Sequence, residues 1–195
     1  MTMAPLSPAP SPSLTLAEFL QLPAGDITYE YQDGQAIAKM SPKRIHSRLQ
    51  PIIWLMLEEW GTSPHSANPG SAYTEWAVCL KCNGVDWCPV PDITYISDAK
   101  LADLTLGNEA CPVPPELVVE ILSPGQSFET MTLKALDYLA AGVQRIWIIS
   151  DRDRSLTIFA PDSPPLTYRG DQPIEDDCFP GLSFTMATVF AKAKI

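Results

Sequence analysis

Glu120 lies in the run Glu116-Leu117-Val118-Val119-Glu120-Ile121-Leu122, where Leu117, Val119 and Ile121 alternate with Val118, Glu120 and Leu122. Successive side chains of a strand point to opposite faces, so both faces of this strand are apolar and both are expected to be covered. A carboxylate buried there without a partner is costly or loses its charge. A buried cation or a metal ion would compensate it; backbone amides at the strand end are the plainer alternative. Asp92 follows Pro91 and precedes the alternating Ile93-Thr94-Tyr95-Ile96. Asp is disfavoured within strands, so alone it reads as a turn residue. Lys134 is the third candidate. In its helix Thr132, Leu136, Leu139 and Ala140 make an aliphatic face away from it, while Thr130, Asp137, Tyr138 and Ala141 share its side. It is a solvated lysine unless that polar side looks toward Glu120.

The elements that must hold these groups can be read along the chain. Thr15 and Glu18 form a capping-box pattern before a short helix closed by Pro23 and Gly25. Asp33-Gly34 between Tyr29-Glu30-Tyr31 and Ala36-Ile37-Ala38 predicts a hairpin. Ser41-Pro42 predicts the start of a helix carrying Ile45, Leu49, Ile52, Ile53, Met56 and Trp60, kinked or divided at Pro51 and ended by Gly61. Strands are expected over Tyr73–Leu80 and, after Asn83-Gly84, over Val85–Ile96 with breaks at Pro89 and Pro91. Glu116–Leu122, a helix from Phe128 to Ala141 and Gln144–Ser150 make a strand, helix, strand unit. Leu156–Phe159, Leu182–Phe184 and a short helix to Ala191 finish the chain. The fold class is therefore α/β of the mixed kind, a mixed sheet flanked by helices with an N-terminal β-hairpin.

The 195 residues suit one domain, expected over 14–195, behind a Pro- and Ser-rich tail at 1–13 expected to be disordered. With 23 acidic and 13 basic side chains the net charge is −10, which excludes a polybasic nucleic-acid binder. No apolar run is long enough to cross a membrane, and the tail lacks the features of a signal peptide. An odd count of 5 cysteines argues against a complete disulfide framework and for a reducing, cytoplasmic setting. Cys79-Leu-Lys-Cys82 looks like half of a zinc site, but a second pair is missing and the two cysteines would face opposite sides of a strand. Ordinary thiols are the expectation. Lys39, Lys43, Arg44 and Arg48 cluster by the first long helix, and Arg152 and Arg154 form a smaller basic group.

Pro91-Asp92, Pro115-Glu116-Leu-Val-Val-Glu120-Ile-Leu-Ser-Pro124, Lys134, Tyr138, Ala141-Gly142-Val143 and Trp147, taken in order, resemble the Uma2 family. So do Tyr29-Glu30 with Asp33-Gly34, Met40-Ser41-Pro42, His46 and Pro180-Gly181-Leu182. That family consists of restriction-endonuclease-like proteins of the PD-(D/E)XK nuclease superfamily. The resemblance implies a metal-dependent endonuclease acting on phosphodiester bonds of nucleic acid, DNA ahead of RNA. Asp92 and Glu120 would be catalytic and hold Mg²⁺ or Mn²⁺. Where the superfamily carries its lysine, two residues after the second acid, this chain has Leu122; the amine would come from Lys134. Glu30, Gln126 and Tyr138 are the expected substrate-side residues. A homodimer is expected by the same resemblance, through exposed strand edges or the Trp54 and Trp60 region. The competing reading is a non-catalytic scaffold that keeps the fold to bind nucleic acid or protein.

Overall fold

A computed structural model describes residues 13–23, 25–102, 104, 105 and 107–195, so the tail expected at 1–13 lies almost wholly outside it. The chain opens with helix α1 (Leu16–Leu20), whose capping box is formed as expected by Thr15 and Glu18. Strands β1 (Tyr29–Gln32) and β2 (Gln35–Ala38) make the N-terminal hairpin. Asp33 (φ 50°) and Gly34 (φ 76°) both take positive φ, as a two-residue turn of this hand demands.

Helix α2 (His46–Gly61) follows, then β3 (Gly70–Thr74), the small hairpin β4 (Leu80–Cys82) and β5 (Val85–Trp87), β6 (Ile93–Ser97) and the short helix α3 (Asp98–Ala102). The crossover unit consists of β7 (Leu117–Ile121), α4 (Phe128–Ala140) and β8 (Arg145–Ser150). After it come β9 (Ser155–Phe159), β10 (Leu166–Arg169), β11 (Ile174–Glu175), β12 (Ser183–Phe184) and α5 (Met186–Ala193). The main sheet has the order β10-β9-β8-β7-β6-β3. Only β7 and β8, joined through α4, run parallel; the other neighbours are antiparallel.

The sheet divides the core in two. Leu117, Val119 and Ile121 of β7 pack with Leu49, Ile53 and Leu57 of α2 and Val189 and Phe190 of α5 on one face. Val118 packs with Met131, Ala135 and Tyr138 of α4 on the other. Every residue of β7 is buried, as its alternation on both faces requires.

Four expectations are corrected. Helix α2 begins at His46, not at Ser41-Pro42; Ile45 precedes it without a side-chain cap. Pro51 does not divide it: the helix runs unbroken through this exposed position, where the carbonyl of Ser47 is open to solvent. The strand expected over Tyr73–Leu80 stops at Thr74, where Glu75 adopts a left-handed φ of 52° and its carboxylate meets Lys39 and Gln50. On α4, Leu136 is 50% exposed while Met131, Ala135 and Tyr138 are buried, so Leu136 looks to solvent, Leu139 is half-buried at the edge of the core, and the side near Lys134 packs on the sheet.

Candidate active site

The β6–β7 register pairs Ile93 with Val119 and Thr94 with Val118. One step further sets Asp92 opposite Glu120, so the two acids share a face at one end of the ladder. Facing positions of an antiparallel pair hold their β-carbons about 5 Å apart, and two like charges there repel. The chain surrounds them with compensating groups.

Asp92 is 3% exposed. Its Oδ1 lies 2.9 Å from Lys39 Nζ, and its Oδ2 accepts from the Ile121 N–H at 2.7 Å and lies 2.9 Å from His46 Nε2. Burial alone would raise this carboxyl, but the His46 hydrogen bond and the Lys39 charge outweigh it and hold the group at about 2. Glu120 is 6% exposed. Its Oε1 accepts from the Tyr138 hydroxyl at 2.8 Å and lies 3.0 Å from Lys134 Nζ. Burial pushes its pKa up, and Lys134 offsets only part of that. Lys134 is also 2.9 Å from Glu30 Oε1. Burial works against its charge, but the two carboxylates win and raise its pKa, so it stays an ammonium.

Helix α4 can deliver Lys134 here because Ser127 caps it, accepting from the Thr130 N–H at 3.0 Å, and Gly142 (φ 95°) follows its C-terminal end. Glu30 comes from β1 and is tied across to the Asp92 segment by the Val90 N–H at 3.0 Å. These groups line a cavity of about 230 Å³ together with Lys39, His46 and Gln126. Gln126 also closes its own turn, its Oε1 accepting from the Ser123 N–H at 2.9 Å. Tyr138 is fully buried against Trp87 and turns its hydroxyl to Glu120, so its place is behind that acid.

Sequence reasoning did not assign a role here to Lys39, His46 or Glu75. Glu75 Oε2 holds the far side of Lys39 Nζ at 2.6 Å. Burial disfavours the Lys39 charge, yet Asp92, Glu120 and Glu75 together raise its pKa. Of the basic cluster read near α2, Lys39 therefore points into the site and Arg48 donates to the Ala193 carbonyl at 2.8 Å, leaving Lys43 and Arg44 exposed. Arg154 stacks 4.2 Å over the Phe190 ring. Trp60 is a core residue bonded to the Pro180 carbonyl at 3.1 Å, which removes it from the surface considered for a dimer.

Among the described residues no group of three or more His, Cys, Asp or Glu side chains could hold a metal ion. The two acids nevertheless suit a hard cation that keeps several waters, because Mg²⁺ is commonly held by one or two carboxylates. Asp92 Oδ1 already faces a cationic group, and among the described residues Glu120 Oε2 makes no hydrogen bond.

A mixed sheet with helices on both faces and two facing acids at a strand end is the architecture of restriction-endonuclease-like proteins. The family described as "Uma2: Putative restriction endonuclease" matches residues 16–187, and the chain belongs to that family. Its fold is also that of a crystal structure from Anabaena variabilis ATCC 29413, titled a "putative nuclease belonging to DUF820". The two are 24% identical with a TM-score of 0.79 over 92% of this chain and 99% of the other. No curated protein matches the chain. Among the described residues no helix is long and apolar enough to cross a membrane.

Proposed function

We propose that the chain is a divalent-metal-dependent endonuclease that hydrolyses phosphodiester bonds of nucleic acid, DNA ahead of RNA. The observation that carries this reading is the placement of Asp92 and Glu120 opposite one another, with the Lys134 ammonium 3.0 Å from Glu120. Asp92 and Glu120 are the residues that would hold Mg²⁺ or Mn²⁺. When bound there, such an ion would supply Lewis-acid activation of water and charge stabilisation at phosphorus. The protein's own part is positional. Tyr138 and Lys134 fix the Glu120 carboxylate, the Ile121 N–H and His46 fix that of Asp92, and Lys134 carries a permanent positive charge at the cavity wall for the attacking water or a phosphate oxygen. Exposed Lys43 and Arg44 lie in the segment between the cavity-lining Met40 and His46, where they offer backbone phosphates a local basic contact in an otherwise acidic protein.

Cleavage of plasmid DNA and of RNA with Mg²⁺ or Mn²⁺ tests the reading. Wild type should cut, and Glu120→Gln and Lys134→Ala should each lose at least a hundredfold, roughly the share of one electrostatic group. A second reading has its own observation: Lys39 compensates Asp92 from within the chain, as a scaffold with no need of metal would do. Calorimetric titration with Mn²⁺ separates the two. Binding that disappears in Asp92→Asn supports the nuclease, whereas no binding and no cleavage leaves the scaffold.

A further inference from the structure

Cys79 and Cys88 flank the β4–β5 hairpin. Its register pairs Leu80 with Trp87, and one step outward sets Cys79 opposite Cys88. One step beyond that, the Val78 N–H donates to the Pro89 carbonyl at 2.9 Å. The cysteines thus fall at a facing position between two hydrogen-bonded ones. Such pairs hold their α-carbons about 4.5 Å apart with both side chains on one face, which lies within the span of a disulfide. The sulfurs are 3.4 Å apart and both thiols are free. The other cysteines of this region are engaged elsewhere: Cys82 Sγ faces Asp137 at 3.6 Å, and Cys111 donates to the Val113 carbonyl at 3.2 Å.

The pair is asymmetric. Cys88 is fully buried and Cys79 only partly so. The contact between the two thiols draws the Cys79 pKa down against the effect of burial, and the same contact and burial push Cys88 up. Cys79, the more accessible sulfur, is the nucleophile and the buried Cys88 the resolving thiol.

We infer that Cys79 and Cys88 form a reversible oxidation site for small peroxides, which ends in a disulfide across the hairpin. The Cys79 thiolate attacks one peroxide oxygen; the S–O bond forms, the O–O bond breaks, and hydroxide leaves to take up a proton as water. Cys88 sulfur then attacks Cys79 sulfur; the S–S bond forms, the S–O bond breaks, and a second water leaves with the Cys88 proton. The two sulfurs give up two electrons and the peroxide accepts them. A small thiol reverses the change by exchange. Cys88 and Tyr31 exchange two backbone hydrogen bonds of 2.9 Å, so the site lies one residue from Glu30 in the hairpin that walls the cavity.

The test is peptide mapping of the reduced full chain after stoichiometric hydrogen peroxide and alkylation of the remaining thiols. The expected product is a single Cys79–Cys88 cross-link, removed by dithiothreitol and retained in Cys82→Ser. In Cys88→Ser, Cys79 should stop at the sulfenic acid and be captured by dimedone. A cross-link to any other cysteine, or wild-type chain that is alkylated at both positions or carried to sulfinic acid without a cross-link, overturns the inference. The wild-type map decides even where Cys88→Ser fails to fold.

Discussion

Lys134→Met keeps the aliphatic stem of the side chain and removes its charge. The ammonium lies 3.0 Å from Glu120 Oε1 and 2.9 Å from Glu30 Oε1, so both acids lose a partner. Their losses differ. The Glu30 side chain is 19% exposed and can take up water, whereas that of Glu120 is 7% exposed and cannot. The cost therefore falls on Glu120, and removing one member of such a buried pair costs about 3–5 kcal/mol. For a chain of this length that is a fall in Tm of about 10 °C. Glu120→Gln removes the charge that Lys134→Met leaves bare, while its amide oxygen still accepts from Tyr138. The double variant should then be more stable than the sum of the single costs predicts, by more than about 1 kcal/mol. Urea unfolding followed by tryptophan fluorescence measures all four proteins, provided the slope m is shared. Simple additivity, or a Lys134→Met cost below about 1 kcal/mol, would refute the buried ion pair.

Three further outcomes follow from the geometry. The Asp92 carboxyl is depressed from 3.8 to about 2, so its contribution is present above the unfolded value and is lost as pH falls from near 4 toward 2. The loss is about 2 kcal/mol and should be missing from the acid titration of Asp92→Asn. Tyr138→Phe keeps the ring on Trp87 but deletes the 2.8 Å hydrogen bond to Glu120, which should cost about 1.5–3 kcal/mol in the same urea assay. A β-carbon on Gly61 would meet the Gly70 carbonyl at 2.5 Å and Tyr95 at 2.6 Å. Gly61→Ala should therefore lower stability by about 1–3 kcal/mol although alanine is the better helix former; a higher melting temperature would contradict this packing.

What could be read in advance depended on whether a residue belonged to a pattern. Glu120 stood out because it interrupts a strand apolar on both faces, and β7 is buried throughout. The turns at Asp33-Gly34 and Asn83-Gly84 were legible because only a few residues accept positive φ. Lys39, His46 and Glu75 belong to no such pattern. Their roles arise where the end of the β1–β2 hairpin and the start of α2 meet Asp92, and where the chain turns left-handed at Glu75, contacts between segments far apart in sequence. Strand β10 was missed because three of its four residues are exposed and its Leu-Thr-Tyr-Arg alternation spans only four residues, and the two-residue β11 is too short to show any. The face of α4 was misjudged for a related reason: aliphatic content suggested Leu136, but burial chose Tyr138, whose hydroxyl had Glu120 to meet.

The parallel β7–β8 crossover also decides which parts of the chain can change length. Asp92 and Glu120 are locked together by strand pairing, so the connection from Asp98 to Pro115 can lengthen or shorten without altering how they face each other. Lys134 is held instead by rotation about the axis of α4. One residue inserted within that helix ahead of it would swing the amine by roughly 100°, the turn per residue of an α-helix, and leave both acids where they were. The acids and the amine are thus separately heritable parts, and drift in one helix can silence the trio without touching the sheet.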